Sequence, residues 1–337
     1  ATIQLPWDSF LMVGKWNYDW EDEAGLYIDE DAWFTDQTLT GFYWRKNLAK
    51  GDITFFATHD ENDAFTAEVD GTVKTTKFGA GGDVYNYGAR FNFNMNDKFR
   101  IAISGLYFDY ENDGAVQFYK RDDWASPIAS ELETYDVSGL PYTLEDYGTY
   151  WADFGITFSP GFEFKGAYYI QDHDGPSGVK HFDDSPDAYK AIIDVSQDVM
   201  KFTSLWIEYA KFDPNFHIAL QPWSAYGAEL TPNLTAPAFW NVFETEVIFA
   251  YLQQKWSDQW VTYQRYGQFD HDPESYAGLT GSYDITNWTF GVQYWYTPTV
   301  MFELAYDDVD YDSGWRDNID SSLKDDSLIR FRTHIFF

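Results

Sequence analysis

The sequence predicts an all-β protein, a transmembrane antiparallel up-and-down β-barrel of about 14 strands, within a range of 14–16. Three observations predict it. Segments of roughly ten residues alternate apolar and polar side chains along most of the chain. The connections between them are long and short in turn. Aromatic residues make up 21% of the chain: 29 Phe, 26 Tyr and 15 Trp. The last segment shows the pattern best. Ile329, Phe331, Ile335 and Phe337 share one face with Thr333, while Arg330, Arg332 and His334 share the other. In a soluble sheet the apolar face needs a covering layer, and no later segment supplies one, so lipid on one side and a wet lumen on the other suit this strand.

Composition narrows the classes further. The aromatic content exceeds what a soluble core needs and suits girdles at two membrane interfaces. Mean hydropathy is −0.46 and no long apolar run exists, which excludes a helical membrane protein, since a span needs about 18 such residues. A closed barrel is then the spanning structure left, because lipid cannot satisfy an open sheet edge. A net charge of −33, from 55 acids and 22 bases, argues against nucleic acid, whose binding requires Lys and Arg to displace counterions. The chain has no cysteine, which fits an exported protein. No signal peptide is visible at Ala1, so either it has been removed or the numbering starts inside a longer precursor.

Taken in order, Asp8 to Trp20 sets Phe10, Met12, Gly14, Trp16, Tyr18 and Trp20 against Lys15, Asn17 and Asp19. Residues 21–36 hold seven acids and no base, a loop in water. Thr38 to Asn47 returns, and Leu48 to Gly51 turns into Ile53 to His59. Tyr87 to Asn94 and Phe99 to Ser104 form the next hairpin, then Tyr150 to Phe158 with Phe162 to Gln171, then Tyr189 to Val195 with Phe202 to Phe212. Trp288 to Tyr296 and Phe302 to Asp307 precede the last strand. Phe243 to Gln254 is nearly continuous in apolar and amide residues, and Trp260 to Phe269 places Arg265 on the face of Val261 and Tyr263, so the outward face of these two is ambiguous. Long connections occupy 60–82, 112–148, 173–187, 213–238, 270–284 and 311–325. Tight turns fall near residues 96–97, 159–161, 196–198, 257–258 and 297–298. A soluble sandwich has no reason to sort loop length by parity, whereas membrane barrels have short turns on one side and long loops on the other. The whole of 1–337 reads as one barrel domain, and an even strand count puts both termini on the short-turn side.

The alternating strand that ends in Phe337 resembles the terminal strand of bacterial outer-membrane proteins. That resemblance implies an outer-membrane location, short periplasmic turns, long acidic extracellular loops, and an assembly signal at Phe331, Ile335 and Phe337. The first sixty residues also look like porins that often follow an S-layer-homology domain: Met12-Val-Gly-Lys15, then the acidic Tyr27-Ile-Asp-Glu-Asp31, then Lys50-Gly-Asp-Ile-Thr-Phe-Phe56. Lys15 stands where that family has Arg, and no S-layer-homology domain is present.

The expected lumen-facing charges are Lys15, Arg45, Arg90, Arg100, Lys165, Arg330 and Arg332 with Asp153, Glu163, Asp194, Glu208, Glu244, Glu246, Glu303 and Asp307. Charges at close quarters set selectivity, or they pair across neighbouring strands and hold the wall. If the barrel closes, Lys15 joins Arg330 and Arg332 in a basic stripe. Asp29, Asp31, Asp172, Asp174, Asp310 and Asp312 offer hard oxygens for Ca²⁺ without EF-hand spacing; the alternative is a solvated loop surface, and no other cofactor is expected. Six histidines, at 59, 173, 181, 217, 271 and 334, accompany no His-Glu-x-x-His or Gly-x-Ser-x-Gly motif, so no enzyme is expected. The long connection 112–148 either folds inward to narrow a lumen or packs on the surface, and Pro222 to Trp240 suits a partner subunit, a ligand or the barrel mouth, leaving a homo-oligomer open. The sequence thus reads as a passive, cation-preferring porin for small hydrophilic solutes or ions, in contact with outer-membrane lipid and lipopolysaccharide. The alternatives are a non-conducting anchoring or partner-binding barrel and an outer-membrane barrel hydrolase.

Overall fold

The computed structural model describes residues 1–18, 37–60, 66–69, 72–75, 84–110, 146–174, 185–213, 216, 244–272, 283–314 and 325–336. In chain order the strands are β1 (Thr2–Leu5), β2 (Ser9–Tyr18), β3 (Gln37–Leu48), β4 (Gly51–Asp60), β5 (Thr66–Val69), β6 (Thr72–Thr75), β7 (Val84–Asn96) and β8 (Phe99–Tyr110). Then come β9 (Asp146–Ser159), β10 (Phe162–Asp174), β11 (Asp187–Ser196), the single helical turn α1 (Gln197–Met200), and β12 (Thr203–Phe212). The rest are β13 (Glu244–Lys255), β14 (Trp260–Asp272), β15 (Ile285–Thr297), β16 (Val300–Tyr311) and β17 (Asp326–Ile335).

Fifteen strands form one sheet in sequence order, every neighbour antiparallel, while β5 and β6 pair only with each other. The alternation of connections follows the sequence reading: the strands β2 to β17 of the main sheet meet through two to six residues at one end, and through segments such as 111–145 and 213–243 at the other. The β5–β6 hairpin inside the connection 60–82, the helical turn α1 and the short strand β1 were not expected.

The sheet's two faces differ sharply in exposure. Residues directly opposed across antiparallel strands lie on one face. One such row runs Met12, Tyr43, Phe56, Gly88, Leu106, Thr149 and Gln171. In it Tyr43, Phe56, Leu106, Thr149 and Gln171 are all buried. The adjacent row, on the other face, runs Val13, Phe42, Ala57 and Tyr87, and there Val13, Phe42 and Tyr87 are 46%, 51% and 45% exposed. Ile103, Tyr150, Ile170, Ile193, Phe290, Leu304 and Phe331 continue that exposed face. An apolar surface of this extent is alien to a water-soluble monomer and matches the lipid-facing band of a membrane barrel. No helix among the described residues is long and apolar enough to cross a membrane.

The edges of the sheet correct one expectation. The 14 strands read from the sequence are all present, but β1 adds a fifteenth on the outer side of β2. It descends from Ala1, whose amine and carbonyl both bond Val13, to the turn at Pro6–Asp8. Residue 1 therefore lies part-way up the wall, not at the short-turn side. Among the described residues no strand pairing joins β17 to β1 or β2.

Candidate lumen and its charged wall

The buried face carries most of the sheet's ionisable side chains, and register explains how they meet. Arg90 on β7 reaches past Ser104 on β8 to Asp153 on β9, giving both carboxylate oxygens a guanidinium N–H at 2.8 and 3.0 Å and Ser104 a third bond at 2.7 Å. Bidentate pairs of this kind are the strong ones, and both side chains are nearly inaccessible. One row nearer the short turns, Lys165 on β10 lies 2.7 Å from Asp194 on β11 and 3.8 Å from Glu163, and its amine sits 4.9 Å from the Trp206 ring centre. Glu163 also accepts from Thr157 at 2.8 Å and lies 3.5 Å from Arg100. Lys190 and Glu208 are 3.8 Å apart, and Trp206 Nε1 donates to Glu208 at 3.1 Å.

A second cluster spans β15 to β17. Arg330 donates to Asp307 through Nε and Nη2 and lies 3.7 Å from Glu303. Thr289 donates to Asp307 at 2.7 Å, and Gln293 to Glu303 at 3.1 Å. Beside it Arg265 stands 5.6 and 5.5 Å from the Tyr251 and Tyr263 rings, within cation–π range. Gly291 makes room for Tyr263: a Cβ there falls 2.1 Å from the ring. Arg45 pairs with Asp52 at 3.0 Å where the first strands begin. Neutralisation between first- and second-neighbour strands, rather than one-signed rings, is thus the rule among the described residues of this wall.

Of the fifteen residues expected to face inward, Arg45, Arg90, Arg100, Asp153, Glu163, Lys165, Asp194, Glu208, Glu303, Asp307, Arg330 and Arg332 lie on the buried face by alternation and register. Lys15, Glu244 and Glu246 do not. Lys15 shares the face of exposed Val13, because the bulky face of β2 turns inward to pack Trp16 against Tyr43 and Phe56. The basic stripe joining Lys15 to β17 therefore does not form. Glu246, with Glu244, sits on the outward face at the long-loop end, where Lys211 bridges the two at 2.5 and 3.1 Å. There the strands have left the apolar band, so an outward charge is tolerated. Just past β12, burial pushes the Asp213 carboxyl above its usual range, against the hydrogen bond it accepts from Asp187 N–H at 3.2 Å. The sequence reading missed Lys190 and Asp52, buried acid–base partners whose roles depend on a neighbour's register.

Buried aromatic side chains gather on the same face towards the long loops. Phe216, at the start of the connection after β12, packs on Phe212 and Tyr169, with ring centres 5.8 and 6.4 Å apart. That connection therefore begins by turning inward. Of the candidate calcium ligands, Asp29 and Asp31 and the side chain of Asp174 lie outside the described residues, while Asp172 and Asp310 are exposed on separate strands. No group of three metal-ligating side chains occurs among the described residues. His271 is buried with Nδ1 3.2 Å from the Tyr283 carbonyl, His59 stacks on Tyr85 and His334 on Phe336. Phe331 and Ile335 are exposed on the outward face; Phe337 is outside the described residues.

No protein-family model and no curated protein matches the chain. Solved structures do. Pseudomonas aeruginosa OccD3 (OpdP) superposes with a TM-score of 0.50 at 11% identity, over 97% of this chain and 74% of its own. Pseudomonas aeruginosa OprD, described as an outer membrane protein, gives 0.50 at 11% over 96% and 75%. Pseudomonas aeruginosa OccK9 (OpdG) gives 0.50 at 10% over 99% and 74%. The chain has the fold of these outer-membrane β-barrels. At such identity the likeness carries the up-and-down architecture and leaves the wall's chemistry to this sequence. About a quarter of each neighbour has no counterpart in these residues.

Proposed function

We propose that the chain forms the wall of a passive outer-membrane pore for small hydrophilic solutes or ions, with a preference for cations. The observation that carries the proposal is the division of the sheet into an exposed apolar face and a buried charged one, over 14 strands long enough to span a membrane. A barrel of about 8 strands is filled by its own side chains, and larger ones leave a lumen. Lipid-facing edges must be paired, so the working wall closes at β17 and at β1–β2, by each other or by further strands. Its lining includes Arg45, Arg90, Arg100, Asp153, Glu163, Lys165, Glu208, Glu303, Asp307, Arg330 and Arg332. An outer-membrane location is supported by the fold shared with OprD. His59 and His334 stack on rings and His271 meets a backbone carbonyl, which favours a pore over a barrel hydrolase.

Cation preference follows from where charge is left over. The wall's acids and bases largely cancel in pairs, whereas the long connections are acidic: seven acids and no base in 21–36, four acids against Arg316 and Lys324 in 312–325. Their summed potential concentrates cations at that mouth, within a Debye length of about 8 Å at physiological salt. In a tenfold KCl gradient the reversal potential is expected to have the sign of potassium carrying most of the current. A chloride-dominated sign overturns the preference, and a folded protein that passes no current favours an anchoring barrel.

A further inference from the structure

The short-turn end of the lumen has a chemistry opposite to that of the acidic loops. Between the β3–β4 and β7–β8 turns lies a cavity of about 610 Å³, within the usual size of a small-ligand site, whose charged lining is Lys50, Lys98, Arg100 and Asp97. Three bases meet one acid, in a chain where acids outnumber bases 55 to 22.

The site is held in place. Lys50 Nζ donates to the Met95 carbonyl at 3.1 Å, which ties one turn to the other, and Lys50 and Lys98 have no ion-pair partner among the described residues. Asn96, which lines the cavity, accepts through Oδ1 from the backbone N–H groups of Lys98 and Phe99 at 2.8 and 3.0 Å, which leaves its NH₂ group as a donor. Asn94 adds a second amide. Arg100 lies against Gly155, where a Cβ falls 2.7 Å from Nε, and its contact to Glu163, 3.5 Å from Nη2, is longer than those of the bidentate Arg90–Asp153 pair.

We propose that this cavity binds small polyanions, solutes carrying two or more carboxylate or phosphate groups, at the inner mouth of the pore. The proposal rests on the pore reading for its role in transport, but the site itself stands on the cavity alone. Two ammonium groups and a guanidinium form charge-assisted hydrogen bonds to oxyanions, and the amides supply neutral donors between them. The site lies at the end of the wall away from the acidic connections, so an anion arriving from the short-turn side reaches it without crossing their negative potential.

Citrate and pyrophosphate titrated into folded protein at low salt test it by calorimetry, with KCl current through planar bilayers measured on the same preparations. Saturable binding of at least one of the two is expected; which one distinguishes carboxylate from phosphate chemistry. Lys50→Gln with Lys98→Gln should weaken it about tenfold or more, Lys50→Arg with Lys98→Arg should keep it, and added salt should erode it. Absent binding, or binding unchanged in the glutamine variant, overturns the site. Conducting protein that binds neither anion removes the site and keeps the pore; closed protein that binds citrate keeps the site and removes the pore.

Discussion

Alanine in place of Asp307 is expected to strip the folded barrel of about 3–5 kcal/mol of stability, the range for breaking a buried ion pair by removing one partner. Asp307 has no accessible surface and accepts from Arg330 and Thr289 together. Its loss leaves Arg330 buried, with Glu303 3.7 Å away. Asp307→Asn, which keeps an acceptor, should lose less. The exposed counterpart sets the scale: the side chains of Lys255 and Asp258, 3.2 Å apart, are 46% and 100% accessible, and Lys255→Ala should change stability by about 1 kcal/mol or less. Urea unfolding in detergent, followed by heat-modifiable mobility, reads all three. Equal losses for Asp307→Ala and Lys255→Ala would mean that burial on the inward face does not govern these pairs.

The second large effect concerns the outward face. Phe331 is 67% exposed and stacks beside Phe302, while its neighbour Arg332 faces inward. Phe331→Arg is expected to destabilise by about 2–4 kcal/mol near the bilayer midplane, and Arg332→Ala far less. In lipid vesicles the folded band should be lost in the first and kept in the second. The reverse order would exchange inside and outside.

Most of the fold was legible because its causes are local. A period of two needs only adjacent residues, as in Ile329 to Phe337, and turn signals such as Ser159-Pro-Gly161 mark the tight ends without tertiary knowledge. What alternation cannot say is which face is inward. Charge points inward at Arg90, Lys165 and Asp307, which lie on the buried face with Phe91, Phe164 and Tyr306 beside them on the other. It failed at Lys15, because β2 fills the lumen with Trp16, and at Glu246, because the outward face stops being apolar above the membrane band. The ion pairs themselves were not legible. Arg90 meets Asp153 across 63 residues, a partnership fixed by the registers of two successive strand pairs with a 35-residue connection between them. Lys190 and Glu208 depend in the same way on a register set by the turn that contains α1.

Because the chain has no cysteine, single introduced thiols report the environment of one position at a time. Glu163→Cys and Thr157→Cys place a thiol on the inward face, Leu304→Cys and Phe331→Cys on the outward one. Each variant, conducting in a planar bilayer, is treated with a negatively charged, membrane-impermeant methanethiosulfonate. The inward pair should react within the pore and change the current stepwise, and the outward pair should stay silent until detergent removes the lipid. Reaction at Leu304→Cys and Phe331→Cys with silence at Glu163→Cys and Thr157→Cys would contradict a water-filled lumen lined by the charged face.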